Sequence, residues 1–136
     1  HNPWVNFTNV PGSDNRLYTG AMSSYGSSVT MIVPNTCNDM HDCSAATGDE
    51  WLARNIPAIL NYDASNNGLL ILTWDEGEYG GTNHIITILA GPKVRAGLYS
   101  QYVTHYDMLK MIETNFGLPL LGQTAGAAGL PAGIIR

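Results

Sequence analysis

GLLILTWDEGEYGGTNHIITILAGP, residues 68–92, decides how the rest of the chain is read. Leu69 to Trp74 is an unbroken apolar run set off by turn-forming residues, which predicts a buried strand. HIITILAGP predicts a second strand after a glycine-rich loop. Asp75 and Glu76 stand at the carboxyl end of the first strand, where two adjacent carboxylates need something to offset their charge. A divalent cation does this well. If the strand continues, the two acids face opposite ways, so that one ligates and the other orients a neighbour; a turn at Gly77 would instead aim both inward. His84 opens the next strand and is placed to supply an imidazole or a phosphate-oxygen donor. The competing reading is an exposed acidic hairpin loop with a surface histidine.

Upstream, VTMIVP (Val29 to Pro34) reads as a strand buried on both faces. PNTCNDMHDC follows it directly, which brings Asn35, Asn38, Asp39, His41 and Asp42 to the same sheet edge. There His41 is a candidate to protonate a leaving-group oxygen, with Asp39 or Asp42 fixing its tautomer or ligating a metal, and Asn38 and Asp39 are candidate substrate contacts. A turn-rich loop whose Asn and Asp side chains bond their own backbone accounts for the same residues. Cys37 and Cys43 either close a small disulfide ring or remain as thiols or half of a metal site.

Asp49 begins a predicted helix, DEWLARNIPAILNY, with acidic residues in its first turn, helical spacing of Leu52, Ile56, Ile59 and Leu60, and a kink expected at Pro57. Thr104 to Phe116 predicts a second helix, capped by Thr104 and Asp107 and stopped by Gly117. His105 falls in its first turn, where the helix dipole disfavours a cation, so a packed neutral imidazole is expected. Residues 1–28 read as loops with at most one short helix, and the glycine-rich tail as a surface wrap or a poorly ordered segment. Strands ending in polar clusters and alternating with helices predict an α/β fold, with ligand chemistry at the strand carboxyl ends.

The chain has 136 residues, 44 % of them hydrophobic, which suits one core. A net charge of −5 without a Lys/Arg cluster argues against a nucleic-acid partner. No apolar run is long enough for a membrane span. There is no GxSxG elbow, HExxH motif or GK[ST] phosphate loop, which disfavours a serine hydrolase and a nucleotide-binding protein. Trp4, Trp51 and Trp74 read as core or rim aromatics.

HNPW, PNTCNDMHDC, GDEWLARNIPAIL, LTWDEGEYGGTNHI, LAGPKVRAG and THYDMLKMIETNFGLPLLG, in this order and spacing, give the chain a resemblance to the phosphoesterase family of acid phosphatases and phospholipases C. The resemblance spans residues 1 to about 122. It implies an alkaline-phosphatase-like layered sheet with flanking helices, and a phosphoric ester hydrolase in which a divalent metal holds a hydroxyl nucleophile and the phosphate. Asp75 and Glu76 match the metal-binding acidic pair. His1, Asp39, His41 and His84 match polar active-site positions, with His1, His41 and His84 carrying the catalytic roles. Members are secreted or periplasmic, which fits a Cys37 to Cys43 disulfide.

The family pattern also has a preceding segment with a Glu-Asn metal motif and the nucleophile. On that pattern residues 1–136 are the C-terminal portion of a single phosphoesterase domain, completed by an N-terminal segment or a second chain. The leading expectation is an acid-phosphatase-like phosphomonoesterase. The alternatives are phospholipase C-type diester cleavage and a non-catalytic metal-binding remnant without the nucleophile.

Overall fold

A computed structural model describes residues 2–136 as a mixed α/β protein with two α-helices, a two-stranded sheet and short helical turns. It divides into two compact units, one ending at Pro92 and the other running from Lys93 to Arg136.

In the first unit, helix α1 spans Ala45–Asn66. It starts earlier than its apolar periodicity predicts, because the Ser44 side chain caps it by accepting the Thr47 amide. The residues between Ala45 and Gly48 are small and carry no apolar stripe. Asp49 and Glu50 therefore lie beyond the first turn, not in it as expected. The helix runs through Pro57 and ends at Asn67, whose left-handed φ of 56° is the conformation that a terminal Asn tolerates. Gly68 follows, where any Cβ would collide with the Asp63 carboxyl group. Ile59, only 4 % exposed, anchors the helix, which packs against the Met22–Ser24 turn and against strand β1.

Strand β1 (Leu70–Thr73) pairs antiparallel with β2 (Thr87–Ala90), in a register that sets Leu70 opposite Ala90 and Thr73 opposite Thr87. The two threonine hydroxyls meet at 2.9 Å. The expectation of strands buried on both faces does not hold: β1 is half-buried, while Ile86 and Ile88 stand 64 % and 49 % exposed. Among the described residues the sheet has two strands, too few to enclose both faces. Val29 to Pro34 is extended but joins no ladder, and Val29, Met31 and Val33 are exposed. Its β-branched composition reflects propensity; partners decide whether such a run becomes a buried strand. Upstream lie three 3-10 turns, at Pro3–Asn6, Gly12–Asp14 and Met22–Ser24, where one short helix at most was expected.

In the second unit, helix α2 spans His105–Asn115. The predicted capping box is present: the Asp107 carboxylate accepts the Thr104 amide at 2.7 Å and its hydroxyl at 2.8 Å. Gly117, with φ of 64°, ends the helix. His105 is exposed rather than packed, because the buried face of α2 is carried by Asp107, Met108 and Glu113. The tail is ordered into the unit: Thr124 is fully buried, Ile134 is buried, and Val94 bridges Ile135. Its small residues permit close approach to α2, where the Gly129 amide donates to Asp107 at 2.7 Å.

Candidate active site

The loop after Pro34 is a closed ring, with Cys37 and Cys43 joined in a disulfide. Inside it the backbone is tightly bonded. The Asn35 side chain accepts the Asn38 amide and its carbonyl accepts the Asp39 amide, each at 2.9 Å, while the Thr36 carbonyl accepts the Asp42 amide at 2.7 Å. Met40 sits at φ of 76°. The self-bonding expected of a turn-rich loop is therefore real, and it holds a histidine in one place.

The two acids that flank that histidine have different tasks. The Asp39 carboxylate accepts the His41 backbone amide at 2.9 Å, whereas the Asp42 carboxylate meets His41 Nδ1 at 3.0 Å. Asp42 is thus the residue that orients the ring. Its hydrogen bond and charge hold the His41 pKa above the ordinary histidine value, with smaller contributions from the charges of Asp39 and Glu76. The Asp42 carboxyl is in turn held below its ordinary value, by the Thr36 hydroxyl and then by His41.

At the end of β1 the chain bends at Asp75 and Glu76 instead of continuing as strand. Both acids are exposed, and Asp75 Oδ1 accepts the Glu76 amide at 3.1 Å. The Asn83 side chain closes the following loop by accepting the Gly77 amide at 2.7 Å, with Asn83 itself left-handed at φ of 55°. Gly80, at φ of 81°, makes the turn between them. Next along the chain comes His84, exposed, before β2 begins.

One hydrogen bond ties the cysteine ring to the strand end: Trp74 Nε1 donates to the Asp39 carbonyl at 3.0 Å. Asp39, His41 and Asp42 lie on the ring side of that bond, and Asp75 and Glu76 follow Trp74 on the strand side. His84 stands exposed beyond the loop, and His1 lies outside the described residues. Sequence reading missed Trp74, Thr36 and Asn83 as contributors. The turn-forming Asn before His84 and the indole at the strand end were their only local signals.

Hard carboxylate oxygens beside an imidazole suit a divalent cation in chemical type. Among the described residues, however, no three His, Cys, Asp or Glu side chains converge as a metal-binding group. Asp75 and Glu76 are of the oxygen-donor type that such a cation takes. No helix among the described residues is long and apolar enough to cross a membrane.

The Phosphoesterase family model matches residues 27–119, a stretch that contains the cysteine ring, the strand end and α2. The chain belongs to this family. Among curated proteins, this phosphoesterase chain is 39 % identical to a phosphatidylinositol-3-phosphatase of Mycobacterium tuberculosis, over 93 % of the chain and 44 % of that protein. It is 30 % identical to an acid phosphatase of Aspergillus fumigatus, over 90 % of the chain and 31 % of the relative. A probable acid phosphatase of Kluyveromyces lactis is also 30 % identical, over 96 % of the chain and 34 % of its own length. The chain thus spans less than half the length of each of these relatives. No solved structure matches it.

Proposed function

We propose that this chain is the C-terminal part of a metal-dependent phosphate-ester hydrolase, a phosphomonoesterase of the acid-phosphatase type. The observation that carries this reading is the hydrogen bond that ties Trp74, at the acidic end of β1, to the loop holding the Asp42-oriented His41, in a chain whose relatives are named phosphatases. Asp75 and Glu76 would hold the metal together with ligands beyond the described residues, which the greater length of the relatives leaves room for. A divalent cation in that position supplies neutralisation of the phosphate charge and activation of a hydroxyl nucleophile.

The chain's own residues do the rest. Asp42 fixes the His41 ring through Nδ1, so Nε2, on the opposite side, is the atom that presents a proton. As the bond between phosphorus and the ester oxygen breaks, that oxygen keeps the electron pair and takes the proton, leaving as an alcohol. The hydrogen bond and charge of Asp42 raise the His41 pKa, which favours the protonated form this task needs. Asn38 and Asp39 shape the phosphate-facing side of the ring, and His84, after the glycine-rich loop, is a second candidate donor. The nucleophile comes from a segment or chain outside these residues. The Cys37–Cys43 disulfide suits an oxidising compartment, and we place the protein outside the cytosol.

A second reading keeps the chemistry and changes the substrate. The likeness to a phosphatidylinositol-3-phosphatase favours a phosphomonoester borne on a lipid head group. Release of phosphate by the full-length protein from an aryl phosphate and from dispersed phosphatidylinositol 3-phosphate, before and after treatment with a chelator, tests both. Chelator-sensitive turnover is expected, and the faster substrate selects the reading. Turnover unaffected by chelation and not restored by any divalent metal would refute metal dependence, and no turnover of either ester would refute the hydrolase.

A further inference from the structure

Trp74 is half-buried where β1 ends, one residue before the acidic pair. Its backbone is fixed by the strand, since the preceding Thr73 pairs with Thr87. Its indole N–H reaches 35 residues back along the chain to the Asp39 carbonyl. Asp39 is held at two further points, through its amide to Asn35 and through its carboxylate to the His41 amide. The disulfide closes the ring around Asp39 and His41. A push on the Asp39 carbonyl therefore moves His41 with it, because a small ring with this many internal bonds has little freedom to absorb the shift locally.

We infer that Trp74 is a positioning residue: its indole N–H sets the placement of the His41 ring against the Asp75–Glu76 strand end, and so aligns the leaving-group acid with the bound ester. This rests on the reading of His41 as that acid. An isolated hydrogen bond of this kind adds little to stability. Its leverage on catalysis is larger, since displacement of a catalytic group by about an ångström can lower a rate about 100-fold.

Leaving-group dependence separates positioning from simple structural damage. An alkyl phosphate needs its leaving oxygen protonated, whereas a dinitrophenyl phosphate departs as a stable anion and needs little help. Replacement of Trp74 by benzothienylalanine keeps the shape of the bicyclic ring and removes only the N–H; Trp74→Phe is the genetically simple counterpart. In the full-length protein, each is expected to lower kcat on the alkyl ester by about 10- to 100-fold, with a loss at least several-fold smaller on the dinitrophenyl ester. The benzothienyl variant should keep the wild-type melting temperature within a few degrees. Equal losses on both esters, or no loss on either, would overturn the inference. His41→Ala serves as the reference: if it shows the leaving-group bias and the Trp74 variants do not, the positioning role alone fails. If His41→Ala shows no bias, the assignment of His41 as the acid fails and takes this inference with it.

Discussion

Two sets of carboxylates, one in each unit, serve opposite ends. In the C-terminal unit, Asp107 is 5 % exposed and is occupied by the chain itself, accepting the Thr104 amide, the Thr104 hydroxyl and the Gly129 amide. Glu113, 2 % exposed, accepts the Leu121 amide. Asp107 replaces water with donors from the chain and fastens the tail to α2, which is how a buried carboxylate becomes tolerable, while Glu113 Oε1 alone finds such a donor. Asp75 and Glu76 in the first unit are exposed at a strand end, and Asp39 and Asp42 hold a histidine. The same residue type therefore divides into one set whose removal should damage folding and another whose removal should damage chemistry.

The largest expected effect lies on the chemical side. His41→Ala should lower phosphate-ester turnover on poor leaving groups by about 100- to 10,000-fold, the range typical of a lost general acid. The urea midpoint should scarcely move, because His41 is exposed. A variant that unfolds more readily but turns over normally per folded molecule would erase the division between the two sets.

Asp107→Ala sharpens the other half. Loss of the capping acid and of its bond to Gly129 should cost about 1–3 kcal/mol, read as an earlier denaturation midpoint. Its pH dependence follows from the same contacts. Burial pushes the Asp107 pKa up as the largest single influence, but the bonds from Thr104, Gly129 and Ala128 together hold it below the ordinary value. With the folded value below the unfolded value of about 3.9, the stabilisation is present above that pH and is lost as pH falls through the folded value. The wild type should therefore lose stability on acidification more steeply than Asp107→Ala. Parallel acid profiles would contradict the assignment.

Asp42→Asn should have the smallest effect. Without the anion, the His41 pKa falls, so the alkaline limb of the activity profile, where protonated His41 is lost, should move to lower pH. An unmoved limb would mean that another group sets it.

How far the sequence reveals all this depends on the range of the interaction. Helix α2 was legible because its signals are local: a Thr104–Asp107 cap, an apolar stripe and Gly117. The start of α1 was hidden because Ser44 is followed by residues without periodicity. Val29 to Pro34 was overread because an apolar run states a propensity and says nothing of its partners. His105 was misplaced because a dipole argument does not tell which face of a helix is covered. At the site, Asp75, Glu76 and His41 stood out as charged groups where apolar runs end. What joins them, an indole bonded to a backbone carbonyl across 35 residues, leaves no mark in local sequence.

We propose that the end of β1 holds a metal that the hydrolysis requires. The most direct test measures bound divalent metal and aryl phosphate turnover on the same samples of full-length wild-type protein and Asp75→Ala. Stoichiometric metal and turnover are expected in the wild type, with both lost in the variant while its melting temperature, measured in the presence of a chelator, matches that of the wild type. Metal content and turnover that both survive the substitution would contradict the proposal.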